Sequence, residues 1–273
     1  MTLVQEKPRI AIYTAIFGKK DALHEPKFIP SGCDFICYTD QPFTSKVWQI
    51  RKVAPPVAGD GTRSNRWYKI LPHKHLPEYE FSVYVDGNIS VRGDVAQLVD
   101  EQLCAVNYAV FNHANNLKYP YKGLKDHLWS LRRAASYDRP EDNMEIVEAQ
   151  AKQYFAEGFP DSNGLAWNLV LLRRHHASDV IEAMEAWWNE VTNRSKRDQM
   201  SFNYVAWKSG LKFNYIPGDP TDNEYFYRTN HFLPIQYKIR SYVRGAIKRL
   251  KHGGKKDNRS VFETEKERNK MKE

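Results

Sequence analysis

Asp86-Gly87-Asn88 sets two oxygen-bearing side chains at positions i and i+2, around a glycine that lets a ligand approach the backbone. Oxygen donors in that pattern suit a hard divalent cation, Mg2+ or Mn2+, held by few protein ligands and completed by diphosphate oxygens. The same three residues also make an ordinary turn, because Asp-Gly and Gly-Asn are frequent turn dipeptides. Upstream, Arg63, Arg66 and Lys69 recur at i, i+3 and i+6 in RSNRWYK. On a helix this spacing sends three cations to one side. There they clamp a diphosphate, with arginine suited to bidentate contact, or they form a solvated basic face.

Elements that place these groups are visible in the apolar pattern. Runs at 10–16 (IAIYTAI), 34–38 (DFICY), 48–53, 81–85 (FSVYV), 108–111, 165–172 and 212–216 read as strands, and that at 81–85 leads directly into Asp86. Helical segments are expected at 63–71, closed by Pro72, and at 94–104, 124–135, 141–157, 176–191 and 198–209, the last capped by Gly210. Alternation of strand and helix predicts one α/β domain with a mostly parallel central sheet flanked by helices. In such sheets ligands bind beyond the carboxyl ends of the strands, which is where Asp86 falls.

A chain of 273 residues with 41% hydrophobic content is long enough to bury a sizeable core. Cys33, Cys37 and Cys104 are too few for a disulfide framework or a structural zinc site, so a reducing compartment is expected. The N-terminal residues lack the apolar run of a secretory signal, and no window reaches the ~18 apolar residues of a membrane span. The formal charge is +8, and eight basic residues with no acid lie between Lys238 and Lys256. Ile239, Val243, Ala246 and Leu250 form a helix-spaced apolar stripe among them. That combination suits an anionic membrane surface, or a last helix that packs its stripe on the domain. The organisation expected is a domain at 1–234, a basic amphipathic segment at 235–256 and a polar tail at 257–273, in a cytoplasmic protein peripheral on the inner membrane face. Confinement of the charge to that segment, without a binding motif, argues against nucleic acid.

The ordered series IAIYTAIFG (10–18), DFICYTD (34–40), the Arg63/Arg66/Lys69 helix with Leu71-Pro-His73, YVDGNI (84–89), Gly158-Phe-Pro, Asn163-Gly-Leu and Arg197-Asp-Gln199 resembles a family of glycosyltransferase-like domains. That family is shared by plant mucilage-related Golgi proteins and bacterial polysaccharide loci, and the resemblance covers about residues 8–216. It implies a glycosyltransferase A fold that takes a nucleotide diphosphate sugar as donor and a glycan or lipid-linked acceptor, in surface polysaccharide synthesis. Asp86 matches the first acid of the family's metal-binding motif, Asn88 replaces its last acid with an uncharged amide, and His231 stands where a third metal ligand would follow the last strand. Thr14, Ala15 and Asp40 fall at strand ends that contact the nucleoside in such folds, and Gly87 lies with Asp86 on the donor. Asp198 and Gln199 resemble the pair that faces sugar or acceptor hydroxyls; Asp198 is then a general base, or an N-cap. His113, Trp167 and Asn168 would line the acceptor side. Two other functions stay open: a lipid amide or ester hydrolase, although no Gly-x-Ser-x-Gly elbow is present, and a non-catalytic carbohydrate-binding protein, which Asn88 would allow.

Overall fold

Seven consecutive residues of β1 (Ile10–Ile16) are buried, as expected of a strand covered on both faces. A computed structural model describes residues 10–18, 21–136 and 142–229. The chain divides into units Met1–Asn230 and His231–Glu273. The basic segment at 235–256, the tail at 257–273 and His231 lie outside the described residues.

The strands that follow are β2 (Cys33–Thr39), β3 (Gln49–Lys52), β4 (Phe81–Val85), β5 (Ile89–Val91), β6 (Tyr108–Asn112), β7 (Ala166–Arg173), β8 (Asn214–Ile216) and β9 (Phe226–Arg228). The helices are α1 (Gly61–Ile70), α2 (Val95–Gln102), α3 (Leu124–Ser136), α4 (Met144–Ala156), α5 (Ser178–Asn193) and α6 (Phe202–Ser209). Seven strands form one sheet in the order β3-β2-β1-β4-β7-β6-β8, while β5 and β9 make a separate antiparallel ribbon. Parallel pairs join β1 to β2 and β4, β2 to β3 and β6 to β8. The α/β architecture with a mostly parallel sheet flanked by helices is therefore observed. One strand departs from it: β7 runs antiparallel to both β4 and β6. Its reversal brings Ala166 to the same end of the sheet as the carboxyl ends of its neighbours. Opposite β6 the register slips between Val110, paired with Leu171, and Phe111, paired with Trp167, so residues 168–170 bulge out of that ladder.

One face of the sheet packs Tyr13, Tyr84 and Leu171 against Tyr68 of α1, Leu128 of α3, Val147 of α4, Trp187 of α5 and Phe202 of α6. The other packs Ile12, Val83 and Phe111 against Val95 and Leu98 of α2 and Phe226 of β9. Where a single helix was expected at 198–209, a tight 3-10 turn, Asp198–Met200, precedes α6. Met200 N–H bonds the Arg197 carbonyl and Ser201 N–H that of Asp198, the closer winding of such a turn.

Candidate active site

Strand order reverses between β1 and β4, since the chain proceeds from β1 to β2 and β3 on one side and places β4 on the other. A crevice opens outside the carboxyl ends of strands at such a switch point. Thr14, Leu23, His24, Trp48, Asp86 and Gly87 are among the residues that line a shallow pocket there. The buried Thr14 hydroxyl has no hydrogen-bond partner among the described residues. A Cβ on Gly87 would come within 3.1 Å of Ile16 Cγ1 and Asp21 Cβ, so any larger residue would push these side chains back by a few tenths of an ångström. Ala15 is buried beside Thr14, and Asp40 is exposed at the end of β2.

The cations come from α1. Asp60 caps it by accepting from Arg63 N–H at 2.9 Å, and the helix stops just before Pro72. Its buried side includes Ser64, Tyr68 and Lys69. Lys69, 1% exposed, places its ammonium 2.7 Å from Asp198 Oδ2 and 3.3 Å from Asp86 Oδ1, and 5.0 Å from the centre of the Tyr84 ring. Arg66 lies 3.3 Å from Asp198 Oδ1. The Tyr84 hydroxyl donates to Asp86 Oδ1 at 3.0 Å and accepts from the Asn65 amide at 3.0 Å. Asn65 also donates to the Ala15 carbonyl, tying α1 to the end of β1. Two cations thus meet two carboxylates where the sheet opens.

These contacts fix protonation. Burial alone would raise the Asp198 carboxyl, but Arg66, Lys69 and the Lys69 hydrogen bond outweigh it and hold it well below the usual carboxylate range. Burial, and then the Asp86 charge, push the Tyr84 hydroxyl well above its ordinary value, so it remains a donor.

Arg63 does not join Arg66 and Lys69. Its guanidinium pairs with Asp60 Oδ2 at 2.8 Å and donates to the Val191 and Arg194 carbonyls at 3.0 and 2.8 Å. The reason is geometric: at ~100° per residue, six residues turn the helix by about 240°, so Arg63 points toward the end of α5 instead.

Gln199 donates its amide to the Ala166 carbonyl at 3.3 Å, fixing the 3-10 turn against β7. His113 and Trp167 stack with ring centres 4.3 Å apart, Tyr121 covers the other His113 face at 4.5 Å, and the Arg228 guanidinium sits 5.5 Å from the Trp167 ring. Burial pushes the His113 imidazole down to about 4. Asn168, the next residue on β7, is buried.

Asp86 fits a divalent cation as a single protein ligand. Its side chain is 23% exposed at the strand end, and a diphosphate supplies the further oxygens such a cation needs. Asn88 is 1% exposed, and its amide nitrogen is 3.4 Å from the Thr229 carbonyl, on the ribbon side. Among the described residues no three His, Cys, Asp or Glu side chains group as metal ligands.

Asn65, Tyr84, His24 and Trp48 are site residues that the sequence reading passed over. Tyr84 carried a usable signal, since a residue two before Asp86 on an extended strand points to the same side. His24 and Trp48 arrive from separate loops and carried none.

Fold and site define a glycosyltransferase-like α/β domain, with its polar cluster at the switch point of the sheet. The TOD1/MUCI70 glycosyltransferase-like domain matches residues 37–216, more than half of the chain, and the chain belongs to that family. It is also 23% identical over 175 residues to the probable hexosyltransferase MUCI70 of Arabidopsis thaliana. That alignment covers 62% of this chain and 29% of the relative.

Proposed function

We propose that this chain transfers a sugar from a nucleotide diphosphate sugar to a glycan or lipid-linked acceptor, in the synthesis of surface polysaccharide. The observation that carries the reading is the Lys69 ammonium held between Asp86 and Asp198 at the mouth of the β1–β4 crevice. Family membership supports the transfer chemistry, and the relative described as a hexosyltransferase supports a hexose as the transferred group. The nucleoside enters the pocket beside Thr14, and the diphosphate reaches Arg66 and Lys69.

Departure of a nucleoside diphosphate leaves negative charge on the leaving oxygens, and fixed cations in a water-poor site stabilise that charge. Lys69 and Arg66 are already oriented for it by Asp198. Asp86 would hold Mg2+ or Mn2+ together with the diphosphate, and such an ion neutralises the same charge. The Asp198 carboxylate acts as a holder of the two cations rather than as a general base, because a carboxylate ion-paired twice and so weakened as a base takes up a proton poorly. Tyr84 keeps Asp86 in place through its donated hydrogen bond.

The test is a panel of nucleotide sugars, with and without Mn2+, read by protection against thermal unfolding and followed by product analysis. A donor that protects the wild type but not Asp86→Ala or Lys69→Ala, with released nucleoside diphosphate, supports the reading. Equal protection of all three proteins removes it.

A further inference from the structure

We infer that His127 and Asn168 form a sugar-hydroxyl recognition wall beside Asp198, a deeper claim about the same site that rests on the glycosyl-transfer reading. Both side chains are 2% exposed. Neither ring nitrogen of His127, and neither the amide nitrogen nor the oxygen of Asn168, has a hydrogen-bond partner among the described residues. Buried polar groups are nearly always paired, and each unpaired one costs stability, so such groups mark a place that serves something other than packing.

Their placement says what they serve. On α3, His127 lies three residues after Leu124 and four before Leu131, so it shares the stripe that packs on the sheet face carrying Tyr84. Trp167, Leu169 and Val170 all pack toward the opposite face, and Asn168 stands among them in the bulged part of β7, buried and without a partner for its amide among the described residues. Leu169 accepts from Asp86 N–H at 2.8 Å, and Ala166 accepts from Gln199. Asn168 is therefore set on the strand between the anchor of Asp86 and the anchor of the Asp198 turn. Asp198, Arg197 and His113 are all near enough to act on the His127 ring, while burial keeps that ring neutral. Two separate elements thus bring buried, unpaired and uncharged polar groups close to the backbone that holds Asp86 and to the Asp198 turn.

The ligand chemistry follows from the donor and acceptor inventory. A neutral imidazole offers one N–H and one lone-pair nitrogen, and a primary amide offers both an acceptor and donors. A sugar hydroxyl is itself donor and acceptor, so it satisfies either group from both sides. Phosphate lacks donors and would leave the lone-pair nitrogen and the amide oxygen unmet. The diphosphate already has Arg66 and Lys69, which assigns the sugar ring to this wall.

The test compares binding of UDP with that of UDP-glucose, UDP-galactose and GDP-mannose, by titration calorimetry, for wild type, His127→Phe and Asn168→Leu. Both variants should bind the nucleoside diphosphate within about twofold of wild type and lose about tenfold for the sugar nucleotide that wild type prefers. Their thermal midpoints should hold or rise by about 2–4 °C, because an apolar group of similar shape replaces an unpaired polar one. If either apolar variant fails to fold, His127→Gln and Asn168→Asp carry the same comparison. Unchanged preference for the sugar nucleotide, or equal losses for it and for the free diphosphate, overturns the wall and leaves the transferase reading intact. Wild type that binds neither nucleotides nor their sugars overturns both.

Discussion

Lys69 is the most consequential side chain of the cluster, because it is the point at which two carboxylates from distant parts of the chain meet. Its side chain is buried, its ammonium lies 5.0 Å from the centre of the Tyr84 ring, and that charge is compensated on two sides. Removing one member of a buried ion pair leaves the other uncompensated, at a cost of about 3–5 kcal/mol. Lys69→Met should therefore lower the unfolding free energy by roughly that amount in a denaturant titration. It should also abolish protection by nucleotide sugars. Asp198→Asn permits a pH test. A carboxyl whose folded value is depressed stabilises the protein above its unfolded value, about 3.9, and loses that contribution as pH falls toward the folded value. Wild type should thus be more stable than Asp198→Asn at pH 7, and their melting curves should converge as pH drops below about 4. Parallel curves across that range would show that Asp198 is not the anion paired with Lys69 and Arg66.

At the scale of elements, α1 is a lever whose setting decides where the cations stand. Arg173 of β7, wholly buried, donates to the Lys69 carbonyl at 2.8 Å and to the Tyr13 hydroxyl at 2.6 Å. Tyr13 in turn donates to the Tyr68 and Lys69 carbonyls at 3.1 and 3.0 Å. The last turn of α1 is pinned to β1 and β7 by carbonyls that a helix end leaves unpaired. Arg173→Lys loses the planar fork. It should raise the donor KM with a smaller change in kcat, because Arg173 positions Lys69 and touches no substrate. Equal falls in kcat and kcat/KM would place Arg173 among the groups that act in the transition state. How much of this was legible in the sequence differs by element. β1, β2 and β4 announced themselves as short apolar runs, and Asp86 was readable because a strand delivers its next residue to the sheet's carboxyl edge. The helix carrying Arg66 and Lys69 was readable from its spacing, but Arg63 was not, because helical drift and the α5 carbonyls decide its direction. The β5–β9 ribbon joins residues 89–91 to 226–228, and no local pattern reports so distant a pairing. Reversal of β7 was hidden for a similar reason: an apolar strand reads the same in either direction, and only the pairing partners fix its sense. His127 looked like one more residue of an amphipathic helix until its neighbours were known.

At the scale of the whole molecule, the distribution of charge separates the last part of the chain from the rest. Outside 238–256 the chain holds 33 basic and 33 acidic residues, so its entire formal excess of +8 lies in that segment. Among the described residues no helix is long and apolar enough to cross a membrane. A lipid-linked acceptor would require the enzyme to meet a bilayer, and we propose that the basic segment does this at anionic lipid. Near such a surface each Lys or Arg contributes about 1 kcal/mol. The full chain should therefore sediment with vesicles containing phosphatidylserine or phosphatidylglycerol and release as salt shortens the screening length. Replacing Lys248, Arg249 and Lys251 together with glutamine removes about 3 kcal/mol of attraction, which is about a 150-fold loss of vesicle affinity. Donor binding should stay at the wild-type value, because the residues assigned to the nucleotide sugar all lie upstream. Binding to neutral phosphatidylcholine as strong as to anionic lipid would exclude electrostatic recruitment. Loss of donor binding in the triple variant would show that the segment serves the active site itself.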